Sequence, residues 1–169
     1  MYFLGLDLGS SFIKASLLDA DTQKTVASAS VPEQEMGMLA VNPGWAEQDP
    51  NMWWTEIKLL IKNVLAKPGL DGKEIGAIGI SYQMHGLVII DKAGEVLRPS
   101  IIWCDSRSVQ IGDQAFQYLG EKYCLEHLLN SPGNFTASKL RWVIENEPGI
   151  AGKIQSYMLP GDFINFKLT

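Results

Sequence analysis

The chain has 169 residues, 46% hydrophobic and 20% charged, with 14 Lys and Arg against 19 Asp and Glu for a net charge of -5. That balance suits a globular chain with a real core and lacks the basic stripe needed to bind a phosphate backbone, so no nucleic-acid partner is expected. No apolar run approaches membrane-spanning length, and Asp7 follows the first apolar residues with no basic region ahead of them, so neither a membrane partner nor a signal peptide is expected.

Three strands are expected first, over 2–8, 12–19 and 24–31, in an antiparallel meander turned at Gly9-Ser10 and at Asp19-Ala20-Asp21-Thr22. The first turn is the most informative stretch. Asp7-Leu8-Gly9-Ser10-Ser11 joins two strands through small residues whose free amides and hydroxyls suit anionic oxygens, with Asp7 placed to hold a hydrated cation. It is not a Walker A loop, since no Gly-Lys-Ser/Thr closes it. Nor is it the dinucleotide G-x-G-x-x-G, since Ile13–Asp19 alternates like a strand. Lys14 shares a face with Phe12, and alternation leaves open whether that face is a site or solvent.

A loop over 32–49, with Pro32, Gly37, Pro43 and Gly44, ends at Asp49 as N-cap with Pro50 in the first helical position. Trp53, Ile57, Leu60, Ile61 and Val64 then predict a helix over 50–66 with one core face, stopped by Pro68-Gly69. Ile75–Ser81 reads as a buried strand, Leu87–Asp91 as another with Asp91-Lys92-Ala93-Gly94 as its turn, and 98–103 as a short one. Helices are expected at 107–120, 122–129 and 136–146, with a last helical turn after Met158-Leu159-Pro160-Gly161.

Two polar clusters follow strand ends, where open α/β sheets commonly bind ligands. Gln83-Met84-His85-Gly86 offers a donor, an acceptor and an adaptable apolar surface to a polyol. Trp103-Cys104-Asp105-Ser106-Arg107 adds an aromatic platform, a carboxylate and a guanidinium. Asp105 could instead cap the following helix and pair with Arg107, and the two roles are compatible. The lack of a signal-peptide pattern leads to a cytoplasmic expectation, and Cys104 and Cys124, without C-x-x-C spacing, are accordingly expected as reduced thiols.

Several segments together resemble the FGGY carbohydrate kinases of the actin-like ATPase superfamily. They are Gly5-Leu6-Asp7-Leu8-Gly9-Ser10-Ser11, Trp45-Ala46-Glu47-Gln48-Asp49-Pro50 with Trp53-Trp54, Gln83-Met84-His85-Gly86, Arg98-Pro99 with Ile102–Arg107, and Asn134–Leu140. The family usually has Thr-Ser where this chain has Ser10-Ser11, which keeps the hydroxyls. Met84-His85 stand where glycerol kinases carry Arg-Glu, so the resemblance favours the branch that acts on ketopentoses.

The order β-β-β-α-β matches a ribonuclease-H-like domain, an α/β fold in which a three-stranded antiparallel meander is followed by α/β units. The resemblance implies ATP-dependent phosphorylation of a ketopentose, D-xylulose giving D-xylulose 5-phosphate, with Mg²⁺ as cofactor. It implies Asp7 at the metal, Ser10, Ser11 and Lys14 at the phosphates, and Gln83, Met84, His85, Trp103 and Asn134 on the sugar, with Asp105 and Arg107 bracing that site. No catalytic base is assigned. Nothing after Lys139 resembles the family's catalytic aspartate segment, so the base is expected downstream of Thr169. Residues 1–169 are then the amino-terminal part of the first kinase domain, inactive alone, from a longer enzyme to which a homodimer is open. A non-catalytic sugar-binding or regulatory module of the same superfamily is the alternative reading.

Overall fold

The computed structural model describes all residues, Met1–Thr169. The strands are β1 (Tyr2–Leu8), β2 (Ile13–Asp19), β3 (Lys24–Val31), β4 (Glu47–Gln48), β5 (Ile75–Tyr82), β6 (Val88–Ile90), β7 (Ser100–Ile101) and β8 (Ser156–Met158). The helices are α1 (Pro50–Ala66), α2 (Val109–Leu119), α3 (Glu121–Tyr123), α4 (Thr136–Asn146), α5 (Pro148–Ala151) and α6 (Pro160–Leu168). They divide into two compact units. One comprises Met1–Gly37, Asn51–Gln83 and Ile164–Thr169, the other Met38–Pro50 and Met84–Phe163. No helix is long and apolar enough to cross a membrane.

The first unit is a four-stranded sheet in the order β3-β2-β1-β5. β1, β2 and β3 form the expected antiparallel meander, and β5 lies parallel to β1 after the α1 crossover. Period-two alternation puts Leu4, Leu6, Leu8, Ile13, Ala15 and Leu17 on one buried face. On α1, Trp53, Ile57, Leu60 and Val64 are each 0% exposed at helical spacing, a layer of helix on sheet. Each such side chain contributes roughly 1.5–3 kcal/mol of transfer free energy.

β5 departs from expectation. It is mostly exposed rather than buried, with Ile78 at 43%. Its Ile, Gly and Ala composition is that of a strand covered on both faces, but here it is the edge of the sheet, paired on one side with β1.

The second unit has two small antiparallel ladders, β4 with β7 and β6 with β8. Its core is built on Leu87, Ile89, Ile101 and Val143, with Leu97, Leu140, Trp142, Ile150 and Ile154 packed against it. The strand expected over 98–103 contracts to Ser100–Ile101, which pairs with the two residues of β4 and accepts one further bond from Leu87 N at Ile101 O. The helix expected over 122–129 is α3 running into a π-helical turn, Cys124–Leu128, which ends at Leu129 with φ 62. α2 runs so close to the 3-10 turn Pro132–Asn134 that a Cβ on Gly112 would lie 2.1 Å from the Cα of Gly133. Cys104 and Cys124 are both free thiols.

Candidate functional site

The phosphate-sized turn lies in the first unit. Gly9 N donates to Phe12 O at 3.1 Å, and a Cβ on Gly9 would lie 2.7 Å from that oxygen, so the turn closes only around glycine. Ser10 lies within it. Ser11 Oγ donates to the Glu35 carboxylate, and Ser11 O accepts from Met36 N at 2.9 Å.

Asp7 is on the exposed face of the sheet, directly opposite Lys14 in the β1–β2 register, which resolves the face that alternation left open. Ser81 Oγ donates to Asp7 Oδ1 at 2.7 Å. A shallow pocket of about 210 Å³ is lined by Gly5, Asp7, Lys14, Ser16 and Ser81. One exposed carboxylate beside a lysine and a glycine turn suits a hydrated Mg²⁺ and an anionic oxygen ligand. Mg²⁺ commonly binds through one or two carboxylates and keeps several waters. The residues present therefore fit a metal-bound triphosphate.

Gln83 also belongs to this unit, and its backbone N–H extends the β5 pairing by donating to Leu8 O at 2.8 Å.

The second unit holds the rest of the expected sugar residues. Met84 is 64% exposed and Trp103 45%. His85 adopts φ 61, an uncommon conformation for a non-glycine residue, and its ring stacks on Phe135 at 5.1 Å between centroids and 19° between planes. Burial first and the Lys139 charge second hold the His85 imidazole below its usual value, favouring the neutral ring. A cavity of about 410 Å³ beside it is walled by Phe135, Thr136, Tyr157, Leu159 and Asp162. Of the sugar residues expected from sequence, His85 alone lines that cavity.

Lys139, on α4, was not singled out from sequence. It is fully buried, and its Nζ donates to His85 O at 2.9 Å, Asn134 O at 2.8 Å and Asn134 Oδ1 at 2.8 Å. Burial pulls the ammonium down to about 8, with Asp105 acting in the opposite sense. Asn134 Nδ2 in turn donates to Trp103 O. His85, Asn134 and Trp103 are thus brought together through one lysine.

Asp105 and Arg107 lie beneath this group, with side chains 0% and 1% exposed. Asp105 Oδ2 accepts from Ala46 N at 2.6 Å and from Arg107 Nη2 at 2.7 Å, while Oδ1 accepts from Arg107 N at 2.9 Å. Arg107 also pairs with Glu47 at 2.6 Å and sits 3.7 Å from the Trp45 ring centroid and 4.9 Å from that of Trp142. Glu47 binds Arg98, which reaches Glu147 at 3.4 Å. The carboxylate of Asp105 closes a turn and pairs with Arg107. It does not cap α2, whose N-cap is Ser108.

Residues 2–169 match the FGGY family of carbohydrate kinases, N-terminal domain. The chain belongs to this family. Among FGGY relatives, the xylulose kinase of Staphylococcus epidermidis is 36% identical over 166 residues, covering 98% of this chain and 32% of that protein. The structure of a xyloylose kinase from Brucella ovis superposes with a TM-score of 0.86 at 36% identity, over 98% of this chain and 34% of that one. A gluconate kinase from Lactobacillus acidophilus gives 0.83 at 26% identity, over 98% and 32%. The chain thus spans about a third of the length of the FGGY kinases it matches.

Proposed function

We propose that this chain is the amino-terminal, sugar-binding part of an ATP-dependent ketopentose kinase, with D-xylulose as substrate. The observation that carries the reading is the grouping of His85, Asn134 and Trp103 around Lys139. An aromatic platform, a neutral imidazole and a carboxamide in one place form a polyol site. The xylulose kinases among the relatives favour the ketopentose. The two free thiols suit a reducing, cytoplasmic setting.

In the proposed reaction a sugar hydroxyl oxygen attacks the γ-phosphorus of ATP, the bond to the β,γ-bridging oxygen breaks, and the hydroxyl proton passes to a base. Positioning and charge neutralisation dominate such chemistry. Met84, His85, Trp103 and Asn134 hold the sugar, and Ser10, Ser11 and Lys14 approach the phosphates. Asp7 would hold Mg²⁺, which would supply neutralisation of charge on the transferring group. Asp105 is committed to its turn and to Arg107 and does not serve as the base. We place the base in the two thirds of the relatives' length beyond the span matched here, with the adenosine pocket, so residues 1–169 alone are inactive.

The test joins residues 1–169 to the remainder of the Staphylococcus epidermidis enzyme and measures ADP release with D-xylulose, D-ribulose, D-gluconate and glycerol. D-xylulose-dependent release from the fusion, with none from the chain alone, is the expected result. Preference for gluconate or glycerol would overturn the substrate. Saturable sugar binding by a fusion that never releases ADP would favour a non-catalytic module.

A further inference from the structure

A buried lysine with no carboxylate partner needs a physical reason. Transferring an ammonium out of water is costly, and a methionine of similar length would fill the same space without that cost. Lys139 is fully buried, and its three acceptors, His85 O, Asn134 O and Asn134 Oδ1, are all neutral. An ammonium has three donors and no acceptor, and all three are used. All three acceptors are on residues of the proposed polyol site: the main-chain oxygens of His85 and Asn134 and the side-chain oxygen of Asn134.

The same inventory fixes the Asn134 carboxamide. Lysine cannot accept, so the amide oxygen must face Nζ and the amide nitrogen must face the other way, toward Trp103 O. One Nδ2 hydrogen goes to Trp103 O, which together with Nζ fixes the orientation of the carboxamide. At His85 the bond is to the main chain of a residue in the left-handed region, where the surroundings must hold a conformation the residue does not favour.

The geometry points to Lys139 as the positioning residue of the polyol site: its three N–H bonds fix the His85 main chain and the Asn134 carboxamide, setting the face offered to a ketose by a side chain the ketose never touches. The inference rests on the polyol reading of His85, Asn134 and Trp103, but its structural half can be measured without sugar. The charged and titratable groups around Lys139 are Asp105, Cys104 and Arg107, with the His85 ring on the bonded turn. Burial lowers the ammonium to about 8, so its charge is open to titration under mild conditions.

The experiment compares the 169-residue chain with Lys139→Met and with Lys122→Ala, a control on an exposed i,i+4 pair. D-xylulose affinity is read by calorimetry, and the His85 ring and Asn134 Nδ2 resonances by NMR. The expected result is at least tenfold weaker binding in Lys139→Met with both sets of resonances displaced, and no change in Lys122→Ala. Affinity within twofold of the parent, or unmoved resonances, would overturn the inference. If the parent binds no ketose while Lys139→Met still displaces the resonances, the positioning role stands and the polyol reading fails. If Lys139→Met does not fold, the parent is titrated from pH 6.5 to 9.5: His85 and Asn134 should move together with a midpoint near 8, and their failure to do so would sink the proposal.

Discussion

Ser81 Oγ donates a 2.7 Å hydrogen bond to Asp7 Oδ1, joining residues 74 positions apart across the β1–β5 ladder. The bond holds one oxygen of the exposed carboxylate proposed for the metal. Ser81→Ala in the fused kinase is expected to raise the KM for Mg-ATP by about threefold to tenfold, the scale of one ordinary hydrogen bond lost at an exposed position. KM for the sugar should stay where it was. An equal rise in both would mean that the variant disturbs the sheet rather than Asp7.

Glu35 takes the Ser11 hydroxyl that the phosphate turn would otherwise offer. Its negative charge also opposes an incoming phosphate. Glu35→Gln should therefore tighten pyrophosphate binding to the chain by roughly threefold at low salt, with the gain shrinking as salt is added. Weaker binding would show that Glu35 organises the turn and does not compete for it.

Asp105→Asn should act on stability before it acts on sugar. The variant leaves buried Arg107 with Glu47 as its one remaining carboxylate partner, so the cost should fall short of the ~3–5 kcal/mol of a fully unpaired buried charge. Arg107→Lys should also destabilise, since an ammonium replaces neither the forked pairing nor the stack on Trp45. Urea unfolding of both variants provides the check, and a parent-like midpoint for Asp105→Asn would contradict the bracing role.

The pH dependence has a definite sign. Lys139 sits at about 8 in the folded chain against its ordinary 10.5. Between those values the unfolded chain holds a proton that the folded chain has lost, so the unfolding free energy climbs with pH across that window, by on the order of 3 kcal/mol in all. His85 behaves alike at lower pH. Its imidazole is held below 6.5, first by burial and then by the Lys139 charge, so stability falls as pH drops from 6.5 through the lowered value. The difference in unfolding free energy between parent and Lys139→Met should rise from pH 7.5 to 10, and a flat difference would contradict the assignment.

The parts legible in sequence are those with a local period. Tyr2–Leu8 and Ile13–Asp19 alternate cleanly, and Trp53, Ile57, Leu60 and Val64 repeat at helical spacing, so the meander and α1 follow from pattern, while the parallel pairing of β5 with β1 is set by the structure. Glu47–Gln48 and Ser156–Met158 are too short to carry a period, and each is a strand only because a distant partner pairs with it. The burial of β5 was misjudged because composition reports what a strand can tolerate and not what lies over it.

At the candidate site, Asp7, His85 and Trp103 announced themselves by residue type at strand ends. Ser81 and Lys139 did not. Ser81 reads as one more small residue in a strand, and Lys139 as a solvated helix position. The partner of Ser81 stands 74 residues earlier in the chain, and Lys139 joins Asn134, five residues away, to His85, 54 residues earlier, a link out of reach of any local rule.

The edge position of β5 bears on how the chain behaves in solution. Ile75–Tyr82 is eight residues long, without proline or charge, and its outer rim presents unpaired main-chain groups beside exposed Ile78. Natural sheets usually guard such a rim with lysine, proline or a covering segment. The isolated chain should therefore self-associate as its concentration rises, and a lysine introduced at Ile78 should suppress the effect in light scattering without altering the fold.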